Sequence, residues 1–464
     1  MSASPKSRRH FELKDEMTEK DIQKMVVNLA WPSITEMFLM SLVGIADMIM
    51  VGRLGPEIGP KAISAVGLTN QPIFFAMAIF QALNVGTTAL VARCMGAGNR
   101  DGASEAAKQT FVIVLILGAL VGALGFFVAE TIIRFMGAAA DVIPMGTIYM
   151  KIVSLGLVFN IVAMGLSSVL RGSGDTHTPM RANMTANIVN VIGNYILIYG
   201  KFGFPALGVA GAAIATSFSR ILSAVWLFYV ITRGSAIIHI DFRNGYRFDW
   251  DIVRRIFKVG FPASIEQFVM RGGQMFFVRI VAGLGTLTYA AHQIALNVMS
   301  LSFMPGMGFG IAASTLIGMS LGAKRPDIAE RAGYQTQKLG TMMASGMGIL
   351  FFIGAPWIVG MYNSNPAVIA QGALALRVVA IMQPAQSTQF ILAGGLRGAG
   401  DTKWPLYTTA IGVWGIRIVL AILFVNYFKF GLVGAWAAMA IDQLVRSILI
   451  TYRYRSGHWK HARV

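Results

Sequence analysis

Charged residues are scarce in this 464-residue chain: Asp, Glu, Lys and Arg together make up 13% of it, about half the share of a soluble globular domain. So few charges cannot cover the surface that a body of this size would turn to water, which leaves lipid as the solvent. Cysteine occurs once, at Cys94, so an intramolecular disulfide and a cysteine metal cluster are both excluded. The six histidines are scattered along the chain. HExxH and Walker A motifs are absent, which removes the matching zinc hydrolases and ATP-driven export by this chain alone. No enzyme and no cofactor is expected.

Long apolar runs are what the chain does have. Residues 111–129, 182–199, 211–232 and 405–428 carry almost no charge, and about 20 such residues in a helix cross the ~30 Å hydrocarbon core of a bilayer. Twelve spans are expected, at 25–52, 62–94, 109–134, 146–170, 181–200, 206–232, 253–284, 287–321, 336–361, 370–396, 405–428 and 429–450. They divide the chain into a polar lead (1–24), an N-lobe of helices 1–6 (25–232), an inter-lobe loop (233–252), a C-lobe of helices 7–12 (253–450) and a tail (451–464). The fold class is therefore all-α and polytopic.

The formal net charge of +18 raises the question of nucleic acid. Its distribution argues against that partner. Roughly 28 of the 39 Lys and Arg fall in the termini and the even-numbered loops, among them Lys6, Arg8, Arg9, Lys20, Lys24, Arg243, Arg247, Arg254, Arg255, Lys324 and Arg325. This is the positive-inside bias, and it puts both termini on the cytoplasmic side of a multi-pass protein of the inner (cell) membrane, with lipid as its surroundings. The lead has no apolar core of its own and reads as a cytoplasmic segment, not a cleaved signal.

An internal duplication organises the rest. Leu170-Arg-Gly-Ser-Gly-Asp-Thr176 recurs as Leu396-Arg-Gly-Ala-Gly-Asp-Thr402, and Gly96-Ala97 as Gly322-Ala323, both at an offset of 226. Pro32-x3-Glu36-x-Phe38-x-Met40 recurs as Pro262-x3-Glu266-x-Phe268-x-Met270 at an offset of 230. With six helices each, the halves insert in the same orientation and face one another across an axis along the membrane normal. The Arg171 and Arg397 loops read as tight turns.

Ionisable residues within spans are functional candidates, because burying a charge in lipid is costly. Pro32, Glu36, Met40, Val43 and Asp47 share one face of the first helix, and Pro32, like Pro262, removes a backbone donor and can bend its helix. Asn190 and Asn194 share a face of the fifth helix, and Thr216 lies in the sixth. Their oxygens with that of Asp47 suit either a hard cation such as Na⁺ or a proton that comes and goes. At the repeat offsets Asp47 maps to Phe277, Asn190 to Ile416 and Asn194 to Leu420, so this polar cluster exists in the N-terminal half alone. Glu36 and Glu266, placed symmetrically, predict an acidic central cavity lined also by Met40, Met270 and Phe277 and suited to lipophilic cations. Asp442 and Arg446 are spaced to pair; Arg271, Arg279, Arg417 and His292 have no assigned role.

These residues resemble the multidrug and toxic compound extrusion (MATE) family over essentially the whole chain. The resemblance rests on Pro32…Asp47-x4-Gly52-Arg53-Leu54-Gly55, the paired Leu-Arg-Gly-x-Gly-Asp-Thr loops, Asn190-x3-Asn194 and Ala291-His-Gln-Ile-Ala295. It implies a V of two six-helix bundles and efflux of amphiphilic, often cationic, small molecules driven by inward H⁺ or Na⁺, with Asp47, Asn190, Asn194 and Thr216 as the coupling site. A monomer is expected. Archaeal-type members carry Asp where this chain has Asn194, and many Na⁺-driven members carry Asp where it has Gln386, a substrate-cavity position. In both respects the sequence looks like the DNA-damage-inducible branch. The alternatives are a lipid-linked saccharide flippase of the same superfamily, which needs a cationic cavity, and a major-facilitator symporter, whose loop motifs differ from these.

Overall fold

The computed structural model describes residues 17–233, 237–241 and 245–462. Lys6, Arg8, Arg9 and Arg243 of the charge argument, and most of the lead, lie outside them. The described chain is almost entirely helical. In the first half, α1 (Glu19–Gly52), α2 (Ile58–Gly96), α3 (Arg100–Phe127), α4 (Ala129–Phe135), α5 (Ile143–Gly172), α6 (His177–Tyr199) and α7 (Gly208–Thr232) follow one another. In the second half come α8 (Trp250–Ala282), α9 (Thr286–Gly322), α10 (Pro326–Gly360), α11 (Pro366–Ala399), α12 (Lys403–Tyr427) and α13 (Gly431–Arg455).

Twelve of these are long, as expected, but two details differ from the sequence reading. The third span breaks at Val128, so its outer end is the separate short helix α4. Ten of the twelve are apolar enough to cross a membrane on composition alone; α6 and α8 fall short. The buried amides Asn187, Asn190 and Asn194 lower the average of α6, and Glu266, Arg271 and Arg279 lower that of α8.

Local chemistry explains the ends. The Thr18 hydroxyl accepts from the Asp21 backbone N–H at 3.2 Å, and the Asp21 carboxylate accepts from the Thr18 backbone N–H at 3.1 Å, a reciprocal cap that starts α1 well before the lipid-length run. Pro32 and Pro262 lie inside helices that continue through them. Two stretches of α12, Ile411–Ile418 and Leu423–Tyr427, are wound as π-helix. That wider winding recurs at functional or strained sites in other proteins.

Each half builds its own core. Phe80, Leu90, Leu157, Leu166, Leu170 and Leu227 centre one in the N-lobe, and Phe277, Val298, Leu376, Val379 and Trp436 centre one in the C-lobe. A third core joins the lobes: Ile22, Val26, Leu29 and Ala30 of α1 pack on Phe309, Ala312 and Leu316 of α9 and Ile328 of α10. All of it lies toward the end of the molecule that carries the chain termini. Farther along α1 the side chains open out, with Met40, Leu42, Ile45 and Ile49 exposed.

Glycine makes the seam between the lobes. A Cβ on Gly96 would stand 1.8 Å from the Met319 carbonyl oxygen, and one on Gly322 would stand 2.2 Å from that of Arg93. The duplicated Gly-Ala pair thus meets itself across the pseudo-axis, backbone on backbone. Gly86 against Ile256 and Gly260 against Ala82 repeat the device between α2 and α8. Arg93 reaches across to donate to the carbonyl oxygens of Ala399 and Ala462 at 2.9 and 2.8 Å.

Candidate functional site

Two polar networks run through the N-lobe. The first joins α1, α6 and α7 at Asp47. The Asn194 amide nitrogen donates to Asp47 Oδ1. In the orientation that satisfies both ends of its amide, Asn190 also donates to Asp47 Oδ1, at 3.0 Å, while its oxygen accepts from the Thr216 hydroxyl at 3.2 Å and the Thr216 backbone N–H at 3.3 Å. The structure therefore brings together all four residues named from the sequence. The spacing explains it: Asn190 and Asn194 stand one turn apart on α6, and Asp47 comes to them from the neighbouring helix. Asn190 and Asn194 are buried, and Asn194 Oδ1 has no hydrogen-bond partner among the described residues. A buried acceptor without a partner beside a carboxylate is uncommon in folded proteins.

The second network centres on Glu36, eleven residues earlier on α1. Arg171 of the repeated loop donates one guanidinium nitrogen to both carboxylate oxygens of Glu36, at 2.7 and 2.8 Å. Asn183 of α6 donates to the same carboxylate at 2.7 Å, and Ser223 of α7 donates to the Asn183 oxygen at 2.7 Å.

The C-lobe repeats the second network and lacks the first. Arg397 donates to both oxygens of Glu266 at 2.7 and 2.8 Å, and Thr409, which stands at the Asn183 position of the repeat, donates to Glu266 at 3.2 Å. Glu36 and Glu266 are 7% and 3% exposed. They are not free acids of an open cavity, as their symmetric placement suggested, because each is covered and matched by its loop arginine. The loop arginines in turn do more than shape turns: they tie the end of one helix to the interior of another. The spacing of 135 residues between Glu36 and Arg171 against 131 between Glu266 and Arg397 was the signal that could have revealed the pairs.

Other expectations need correction as well. Phe277 is fully buried against His292, with the Arg417 guanidinium 5.9 Å from its ring centre, so it does not line a cavity. Gln386 is buried within α11, and neither side-chain polar atom has a partner among the described residues. Met40 is exposed and Met270 partly so, which leaves both available to a ligand.

Arg417 now has a place. It donates to Asp442 Oδ2 from two nitrogens at 2.9 and 2.6 Å and to Gln274 at 3.2 Å, while Arg446 lies 2.9 Å from Asp442 Oδ1. All three charged groups are buried. Gly412, in the π-wound stretch, makes room for them, since a Cβ there would lie 2.2 Å from Asp442 Oδ1. The expected Asp442–Arg446 pair is thus one side of a three-residue cluster. Arg271 and Arg279 are exposed. His292 is enclosed by Phe277, Tyr289 and Trp436, with no hydrogen-bond partner among the described residues.

One residue of the N-lobe escaped the sequence reading. Arg220 is the single charged side chain of α7, in a run read as nearly charge-free, and it shares a helix face with Thr216 and Ser223, which belong to the two networks.

Comparison with known proteins agrees with this architecture. The MatE family pattern matches residues 32–196 and 262–423, one match in each half. A probable multidrug resistance protein NorM of Thermotoga maritima is 33% identical over 96% of this chain and 95% of its own. The multidrug resistance protein PmpM of Pseudomonas aeruginosa is 28% identical over 93% of this chain and 90% of its own. In fold, the chain is similar to a crystal structure of MATE in complex with MaD3S, with a TM-score of 0.86 at 24% identity over 94% of this chain and 96% of that one. An outward-facing multidrug resistance MATE transporter of the MOP superfamily gives 0.85 at 24% identity over 94% and 95% of the two chains.

Proposed function

The chain belongs to the MatE family, and from that premise we propose that it is a secondary active antiporter that exports amphiphilic, often cationic, organic molecules in exchange for H⁺ or Na⁺. The observation that carries the reading is the Asp47 cluster: a carboxylate within a membrane helix, held by two amides, beside an unmatched buried acceptor. A group of this kind gains and loses a small cation at low cost in structure, because its partners can rotate their amides and hydroxyls.

Export follows from the two-lobe construction. The lobes are closed together at the end bearing the termini, through the glycine seam and the α1–α9–α10 core. With the termini in the cytoplasm, as the charge distribution implies, this is an outward-facing state. Asp47 sits on the part of α1 beyond that core. Loading it with a cation alters the contact between α1 and α6 and so biases the rocking of one lobe against the other. Pro32 leaves a backbone acceptor in α1 without its usual donor, which lowers the cost of bending there. Met40 and Met270 supply adaptable contacts for varied substrates.

The test is Asp47→Asn in proteoliposomes loaded to follow ethidium flux under an imposed ion gradient. Gradient-driven flux is expected to vanish while the protein remains folded. Flux at the parent rate would refute the coupling assignment.

A further inference from the structure

The two repeated loops differ in how the helix after them begins. In the N-lobe Asp175 caps α6: its carboxylate accepts from the Thr178 backbone N–H at 2.9 Å and from the Thr178 hydroxyl at 2.6 Å. Asp401 holds the same place before α12, at the offset of 226, and Trp404 stands where Thr178 does in the first half. Here Arg453 of α13 takes the carboxylate instead, its Nε donating to Asp401 at 2.7 Å, while the guanidinium lies 5.1 Å from the centre of the Trp404 ring. The first turn of α12 is left without a cap. Thr402 makes no capping bond, and the backbone N–H groups of Lys403 and Trp404 have no acceptor among the described residues. Uncapped N–H groups at a helix start attract anions, both by direct donation and through the helix dipole.

A cavity of about 220 Å³ opens at this helix start. Thr402 and Lys403 line it from α12, Arg453 from α13, and His458 and His461 from the tail. Thr402 is 2% exposed, and its hydroxyl has no hydrogen-bond partner among the described residues. A buried hydroxyl on a cavity wall with nothing to bond points to a ligand independently of the helix end. Charge agrees with it. The Asp401 carboxylate also lines the cavity, but Arg453 neutralises it, and the Lys403 ammonium is left in excess. The two terminal nitrogens of Arg453 make no hydrogen bond among the described residues.

We propose that this cavity is a binding site for a phosphate group, carried by the headgroup of an anionic phospholipid or by free phosphate. The phosphate oxygens accept from the Lys403 backbone N–H, the Thr402 hydroxyl and the terminal nitrogens of Arg453, and the Lys403 ammonium balances the charge. A tetrahedral oxyanion offers acceptors in several directions at once, which suits donors that arrive from two helices. The cavity lies at the end of the molecule that carries the termini. With that end in the cytoplasm, as the charge distribution implies, it stands at the level of the anionic leaflet, where basic pockets between helices take up lipid headgroups. The tail on its far wall is held from the N-lobe by Arg93, which donates to the Ala462 carbonyl oxygen at 2.8 Å. A bound phosphate therefore joins α12 to a segment that spans the seam. None of this depends on the reading of Asp47.

The experiment is isothermal titration of the purified full chain in detergent with inorganic phosphate, with dihexanoyl phosphatidic acid and, as a zwitterionic control, with dihexanoyl phosphatidylcholine. Phosphatidic acid is expected to bind and phosphatidylcholine is not. Inorganic phosphate that binds as tightly as phosphatidic acid assigns the site to free phosphate; a tighter lipid assigns it to the headgroup. Lys403→Glu, a change at an exposed side chain, is expected to weaken binding by at least about 10-fold through reversal of a nearby charge. Thr402→Val keeps the shape, loses the donor and is expected to weaken it by about 5-fold. If Thr402→Val does not fold, Thr402→Ala takes its place under the same criterion. A parent that binds neither inorganic phosphate nor phosphatidic acid would overturn the proposal. Unchanged affinity in either variant would do the same, because the anion would then sit elsewhere on this basic protein. So would phosphatidylcholine that binds as tightly as phosphatidic acid, since the acyl chains and not the phosphate charge would then be recognised.

Discussion

Replacing Glu266 by Gln is the perturbation that best separates a structural from a substrate-binding role for the paired acids. An acid facing an open cavity would attract cationic substrates, and its loss would spare neutral ones. The structure gives a different expectation. Glu266 is buried, both its oxygens accept from Arg397, and Thr409 donates to one of them. Gln keeps the shape and one acceptor but presents an NH₂ group where Arg397 needs oxygen, leaving a guanidinium in the protein interior without its counter-charge. Removing one partner of a buried pair costs about 3–5 kcal/mol. The Arg397 side chain retains 20% exposure against 4% for Glu266, so some solvent screening remains and about 2–4 kcal/mol is the better figure. For a lobe of this size that corresponds to a fall in melting temperature of roughly 10 °C. Thermal unfolding of the purified protein in detergent measures it, with flux of one cationic and one neutral substrate measured alongside. The expected result is a lower melting temperature and equal loss of both fluxes. Glu266→Gln/Arg397→Met should regain part of the stability, since the orphaned charge is gone. A variant that melts with the parent and loses only the cationic substrate would refute this reasoning and restore Glu266 to the substrate cavity.

Two further outcomes follow from the packing. Asp442→Asn leaves Arg417 and Arg446 buried without a counter-charge and is expected to destabilise the C-lobe by about 3–5 kcal/mol, read as a large loss of folded protein on gel filtration; adding Arg417→Met should recover much of it, and an unchanged yield for Asp442→Asn would show that the cluster is hydrated. Gly322→Ala puts a methyl group against the Arg93 carbonyl oxygen, 2.2 Å away in the present packing, and should push the lobes apart at the seam. Cys94, the single cysteine of the chain and partly buried beside that seam, then reports the opening as faster maleimide labelling, and an unaltered labelling rate would refute the seam as the closed gate.

Much of this protein was legible in its sequence because the bilayer is an exacting solvent. A helix of lipid-crossing length must show as an apolar run, and a duplicated chain must show its own offset. Asp47, Asn190 and Asn194 could be selected for a similar reason, since polar groups stand out against apolar surroundings and helical spacing puts them on a face. The same contrast misled where charge was hidden by pairing. Glu36 and Glu266 read as open acids because their partners lie 135 and 131 residues away, in loops whose glycines offered a complete local explanation. Arg417 had no assignment because its partner Asp442 already had a closer one in Arg446. Arg220 passed unnoticed inside an apolar run, and only the packing of α7 against α1 and α6 shows that it stands between the two networks. Sequence by itself determined the class of solvent, the twofold frame and the candidate ions' ligands, since each depends on composition or on spacing along one helix. Tertiary structure decided which charges are neutralised and where the lobes touch, because each of these is a distance between helices far apart in the chain, and electrostatic energy in a low dielectric depends on that distance above all.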